Sequence, residues 1–262
     1  MTGSISNISF YKVAGSDRVI MRTKGGPTKR RLKVGPEFEL VRKHQKEWAA
    51  CVMFSQGLKH ALGEVYSLAD YNVSPVWNGL GKKIIKTDEN HVIAERSLCI
   101  SAYRNELSGF NLNRNFSFNA VMGVTPQVSI DKESLKATVI IPAMNSEQDL
   151  LNIQKLPYFR FIISLGIVSD IVYDNTAGHG KYAPQMGAGN GAGNSETTEW
   201  FSTRDMIKEM EITVQIHSSL KEYILENTTY ILSMGIQFGN VGFGGKTEAV
   251  KRACCGKIMM VI

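Results

Sequence analysis

The chain has 262 residues, 43% hydrophobic and 21% charged, with a formal net charge of +6; this is enough apolar side chain for a sizeable core and argues against a wholly disordered chain. No stretch approaches the roughly 18 consecutive apolar residues that a membrane-spanning helix needs. The opening MTGSISNISFYKV lacks the charged, apolar and small-residue blocks of a secretory signal, so the expectation is cytoplasmic synthesis, with export by an unmarked route left open.

The charge is polarised. Residues 1–86 carry 15 Lys and Arg against 6 Asp and Glu, a net of +9, whereas residues 87–262 carry 15 against 18, a net of −3. Such asymmetry points to an acidic partner for the N-terminal part: nucleic acid, an anionic surface, or the acidic half of a neighbouring copy. The four cysteines, Cys51, Cys99, Cys254 and Cys255, match neither paired metal knuckles nor a disulfide framework. They read as small core or edge residues, with the adjacent pair pointing to opposite faces of a strand.

In chain order, residues 5–22 alternate loosely and predict one or two short strands or an extended arm. RTKGGPTKRRLK, residues 22–33, follows. Its Gly25-Gly26-Pro27 punctuation and the basic residues Arg22, Lys24, Lys29, Arg30, Arg31 and Lys33 read as a mobile or surface-laid basic turn. A helix is expected from Gly35-Pro36, with Glu37 and Glu39 favouring its positive end, and apolar residues at helical spacing carry it to Gly63. A second is expected from Ser74-Pro75 to Ile85, and residues 88–107 read as one or two further helical pieces.

From Phe116 the period changes to two. Phe116, Phe118 and Ala120 form one set, Val128 and Ile130 a second, and Ala137, Val139 and Ile141 a third, with residues 131–134 as a hairpin turn. Strands are also expected around residues 159–165, 210–216, 230–238 and 254–262. Gly178 to Asn194, GHGKYAPQMGAGNGAGN, reads as a loop whose ordering would be costly, hence either an exposed tip or a segment ordered by another chain. The sequence therefore predicts an α+β protein: a basic N-terminal arm and small helical bundle over residues 1–112, then a mainly antiparallel β-sandwich over residues 113–262.

Asn240 to Thr247, NVGFGGKT, imitates a phosphate-binding loop, but asparagine holds the first glycine position and only 15 residues follow. With no room for the helix such a loop requires, it reads as a glycine-rich connection between antiparallel strands. The five histidines show no ligand spacing; His179, near Asp174 and Ser195, reads as a solvated loop residue. No nucleophile elbow, paired carboxylates or dinucleotide fingerprint appears, so no catalytic residue, metal or cofactor is assigned. The basic arm could track phosphates, yet no aromatic interleaves it between Met21 and Val34 for base stacking.

The stretch RTKGGPTKRRLKVGPEFELVRKHQKEW, with Glu106 to Asn113 and the ending Val250 to Ile258, resembles an uncharacterised family of bacterial proteins of about this length. The resemblance implies the architecture and carries no activity. Function is expected to be non-enzymatic: a structural or self-assembling protein, a homo-oligomer or filament, using the basic arm and the loop residues His179, Lys181 and Tyr182 for subunit contacts. A nucleic-acid-binding protein stands second, and an enzyme without a recognisable motif third.

Overall fold

The structure is a computed structural model that describes residues 3–13, 16–23, 25–175 and 180–262. Its contacts divide the chain into two units, Met1–His44 and Gln45–Ile262. The division therefore falls well before residue 112, because the helices of the second unit share an apolar core with its strands.

The first unit opens with an antiparallel meander of β1 (Gly3–Ile5), β2 (Ile8–Lys12) and β3 (Val19–Thr23), where one or two strands or an arm were expected. The basic stretch is not a turn throughout: Lys29–Val34 forms the helix α1, capped by the Thr28 hydroxyl accepting from Arg31 N at 3.2 Å. Gly35 ends it in extended backbone, and Pro36 opens a 3-10 turn over Pro36–Phe38, not the long helix itself. That helix, α2 (Glu39–Ala61), starts three residues later than the sequence suggests, and the division between units falls inside it.

In the second unit α3 (Gly63–Tyr66) and α4 (Ser74–Ile85) follow α2, α4 with the expected bounds. Residues 88–107 hold only two 3-10 turns, Ile100–Ala102 and Arg104–Glu106, where helix was expected. Phe118–Val121 is a helical turn, α5, instead of a strand, because the Ser117 hydroxyl caps Ala120 N at 3.3 Å and converts the apparent alternation into a turn. The hairpin β4 (Gln127–Asp131) and β5 (Lys136–Ile141) forms as expected. Next come β6 (Met144–Asn145), the single turn α6 (Ser146–Asp149), β7 (Tyr158–Val168), β8 (Ile171–Asp174) and β9 (Lys181–Pro184). The chain closes with β10 (Gly193–Thr197), β11 (Phe201–Ser202), β12 (Met206–Ile207), β13 (Met210–Gln215), β14 (Thr229–Val241) and β15 (Thr247–Val261).

The fold is α+β, with every strand pairing antiparallel. The strands are distributed over several sheets and do not form a single β-sandwich. The largest runs β10-β7-β14-β15 with β11 also on β7; a three-stranded sheet runs β13-β5-β4. Asn240 to Thr247 is the β14–β15 connection, as expected, closed by Gly242 N donating to Lys246 O at 2.8 Å.

Alternation sorts the largest sheet into two faces. Phe159, Phe161, Ile163 and Leu165 of β7, with Leu232, Met234 and Ile236 of β14, pack with Val139, Ile141 and Val214 of the three-stranded sheet. Ile162, Val168, Ile231 and Ile258 point the other way, into a core with Phe54, Leu58 and Leu62 from α2 and its end and Trp77 and Ile85 from α4. The helices thus lie on a sheet instead of forming a bundle of their own. Cys255 joins the first core and Cys254 packs against the second, on opposite faces as their adjacency requires; burial lifts their thiols to about 12 and about 11.

The helix-facing side carries small residues where α2 ends. A Cβ on Gly166 would fall inside contact distance of the Ala61 carbonyl, and one on Gly193 would stand 2.6 Å from Leu165 O. Gly166→Ala is therefore expected to cost about 1–3 kcal/mol in urea denaturation. Gly79→Ala, in α4, where a Cβ meets nothing within 4 Å, is expected to stabilise by about 0.5–1 kcal/mol. Equal effects of the two would show that close packing at Gly166 does not govern the fold.

Candidate functional site

The first unit is built almost wholly from exposed residues. Every residue of β1 and β3 is exposed, among them Ile5, Val19, Ile20 and Met21, and Val34 of α1 is exposed as well. The two buried cores contain no residue of this unit. Local polar contacts hold its pieces: Lys12 pairs with Asp17 at 3.4 Å, Arg31 with Glu37 at 2.7 Å and Lys43 with Glu39 at 2.8 Å, while Arg42 donates to Leu32 O and Gly35 O. Arg31 and Lys43 hold the carboxyls of Glu37 and Glu39 below their ordinary values.

The predicted basic residues take separate roles. Arg22 lies on β3 with its guanidinium 5.5 Å from the Tyr11 ring centroid. Arg31 is engaged by Glu37 and stands 6.0 Å from the Phe38 ring centroid. Lys29, Arg30 and Lys33 are exposed on α1 and make no ion pair among the described residues. Lys24 lies outside the described residues, as does His179.

The glycine-rich segment differs from its expected form as a loop, either an exposed tip or a segment ordered by another chain. Lys181–Pro184 is a strand paired with β8, and Gly193 begins another on β7. Its glycines serve close approach: a Cβ on Gly191 would stand 3.0 Å from Gly57 O, and Asn190 Oδ1 accepts from Ser169 N at 2.9 Å. Tyr182 is 6% exposed, edge-on to Tyr173 at 5.4 Å, so it is a core residue and not a subunit contact. Lys181 is exposed.

Sequence reasoning missed two features. Phe243, at the tip of the β14–β15 connection, is fully exposed; the glycines around it drew attention away from the one aromatic they display. Glu47, on α2, has a side chain only 1% exposed, and Lys82 Nζ donates to it at 2.5 Å. Arg96 Nη1 stands 4.0 Å away, and Ala94 N donates at 3.3 Å from a backbone held at φ 81°. Burial pushes the Glu47 carboxyl up, but the Lys82 hydrogen bond, the Ala94 amide and the two cations together hold it below its ordinary value. Burial also lifts the neighbouring Cys51 thiol to about 11 and the Tyr182 phenol well above its ordinary range. An ionised carboxylate bound to two cations beside a protonated thiol anchors structure; it offers neither a free base nor a thiolate nucleophile. No signal in the sequence marked it, since the partners are 35 and 47 positions away.

Comparison of the chain with family models, curated proteins and solved structures finds no match, so the site is argued from its own geometry. Among the described residues, no helix is long and apolar enough to cross a membrane.

Removing Glu47 tests the anchor. Glu47→Gln leaves Lys82 and Arg96 without their carboxylate and is expected to cost about 3 kcal/mol at neutral pH. A carboxyl depressed in the folded state stabilises above its unfolded value and loses that contribution as pH falls through the folded one. The gap between parent and variant, followed by chemical denaturation, should therefore narrow below the ordinary glutamate value of 4.5; a pH-independent gap would remove Glu47 ionisation from the explanation.

Proposed function

We propose that this protein is a non-enzymatic, self-assembling subunit whose first unit is the contact element, covered by another copy of the chain. The observation that carries the reading is that no described apolar side chain of Met1–His44 is fully buried, Ile8, Phe10, Leu32 and Phe38 being only half-buried, while Ile5, Val13, Val19, Ile20, Met21 and Val34 are exposed. A three-stranded meander whose outer strands are exposed throughout and whose central strand only half-buries Ile8, Ser9 and Phe10 recovers little of the order of 1 kcal/mol per residue that fixing its backbone costs. Its open edges β1 and β3 offer unpaired backbone groups to a further strand.

A protein partner suits this surface better than nucleic acid. Phosphates would satisfy Lys29, Arg30 and Lys33 but leave Val19, Ile20 and Met21 in water. Residues 1–44 carry 10 Lys and Arg against 3 Asp and Glu, net +7, whereas residues 45–262 carry 20 against 21, net −1. Glu209 and Glu211, exposed before and on the edge strand β13, make no ion pair among the described residues. A neighbour thus supplies both apolar area and carboxylates. Phe243 is a candidate anchor of the same contact, a large exposed side chain at a narrow tip.

Light scattering after size exclusion is expected to give a species larger than the 29.0 kDa chain. The exposed pair Ile20→Lys and Met21→Lys should shift it toward monomer without lowering the melting temperature of the rest. A parent that stays a monodisperse monomer at high concentration overturns the proposal. So does steep, salt-sensitive retardation of nucleic acid that Arg30→Glu with Lys33→Glu abolishes and the apolar pair leaves intact.

A further inference from the structure

Three loops of the second unit meet around a cleft of about 380 Å3, near the lower end of the range of about 300–1,000 Å3 typical of small-molecule sites. Each loop is fixed by its own hydrogen bonds. Asn152 clamps the turn over residues 152–156 from both sides, its amide donating to Leu156 O at 2.7 Å and its oxygen accepting from Leu156 N at 3.0 Å. Thr203 ties the second loop to the first, its hydroxyl donating to Leu156 O at 2.9 Å and its N–H to Pro157 O at 2.9 Å. The third is joined to the second by Ser146 N donating to Asp205 O at 3.1 Å and by the β6–β12 pairing beside it.

These constraints leave three donors on the cleft wall without intramolecular partners. Lys155 is held at φ 51°, a left-handed conformation that an L residue rarely adopts, and forms no ion pair among the described residues. Arg204 likewise lines the cleft with its guanidinium unpaired. Ser146 is 1% exposed, and its hydroxyl has no hydrogen-bond partner. A buried hydroxyl without a partner is costly, and two cations close to one cleft with only Glu147 as counter-charge repel each other. All three deficits are met by one ligand that brings acceptor oxygens and negative charge.

We infer that this cleft binds the phosphate group of a small, hydroxyl-bearing phosphate monoester. Lysine and arginine are the side chains that recognise phosphate, one as a point charge and the other as a fork of donors. Ser146 supplies a further donor from beneath. Glu147, an acceptor on the same wall, faces the ligand's hydroxyl groups, and the volume exceeds what a bare phosphate fills. The site shares no residue with the proposed assembly contact, since its lining includes neither a residue of the first unit nor Glu209, Glu211 or Phe243.

Calorimetric titration of the intact chain with glycerol 3-phosphate and with inorganic phosphate, at constant ionic strength, tests this. Saturable one-to-one binding is expected, tighter for the ester. Arg204→Gln and Lys155→Gly should each weaken it about tenfold or more, and Ser146→Ala by a few-fold. Without ligand, Lys155→Gly and Ser146→Ala should melt no lower than the parent, because glycine relieves the left-handed backbone and alanine removes an unsatisfied hydroxyl. Absence of saturable binding overturns the inference. Binding that survives these variants, or that is lost on substituting Arg30 and Lys33 instead, overturns it as well.

Discussion

The second unit depends on how closely the end of α2 and the short α3 approach the largest sheet. Gly166 sits under the Ala61 carbonyl, Gly63 turns the chain at φ 50°, and Gly235 and Gly256 lie side by side beneath Leu68 and Val65. Ser164, Ser195 and Ser233 fill the intervening row; the Ser164 and Ser195 hydroxyls are 2.7 Å apart, and Ser195 Oγ accepts from Glu64 N at 3.1 Å. A row of ordinary side chains would hold the helix off the strands and open voids around Leu58 and Leu62. The opposite face of the same strands carries Phe159, Phe161, Leu232 and Ile236 instead, so one sheet serves a tight helical contact and a thick apolar core at once.

Legibility in the sequence follows from this division. Strands that are buried on one side, such as β5 and β13, display their period directly, and the β14–β15 turn is marked by glycines that satisfy positive φ at Gly244 and Gly245. The glycines of residues 187–193 looked the same and meant something else. Gly191 and Gly193 admit α2 and β7, whereas Gly187 meets nothing and serves a positive φ, and a composition argument cannot separate close approach from backbone freedom, because both call for the missing Cβ. Phe116, Phe118 and Ala120 imitated a strand because two-residue alternation over five positions is also compatible with a capped helical turn. Of the candidate site residues, the basic stretch was visible as charge, but its division between β3 and α1 rested on the Thr28 cap, and the oxyanion cleft has no sequence signature, its members spanning residues 146–204.

The two units differ in what holds them. Gln45–Ile262 is maintained by two apolar cores on either side of one sheet, with strand ladders up to eleven pairs long between β7 and β14. The described part of Met1–His44 is maintained by two short strand ladders, the Arg42 hydrogen bonds, one cap and a few exposed ion pairs, the last contributing about 0–1 kcal/mol each in water. The first unit leaves Ile5, Val19, Ile20 and Met21 exposed on its meander, while both buried apolar cores lie in the second.

Charge placement follows the same separation. Where an ion is needed for the fold it is buried and matched, as with Glu47, whose carboxylate meets Lys82, Arg96 and a backbone amide. Desolvating that group is tolerable only because the partners are fixed by α4 and by the strained turn at Ala94. Elsewhere ions stand exposed with no partner of opposite sign among the described residues: Lys29, Arg30 and Lys33 on α1, Glu209 and Glu211 at β13, and Lys155 and Arg204 on the cleft wall. Exposure alone would make them ordinary solvated charges. What distinguishes the last pair is a rigid frame around them and a buried hydroxyl with no partner beneath, and what distinguishes the first set is uncovered apolar surface on the same small unit. In both places a charge and a second, independent deficit coincide, and that coincidence is what supports the proposed ligand at the cleft and the proposed neighbour at the first unit.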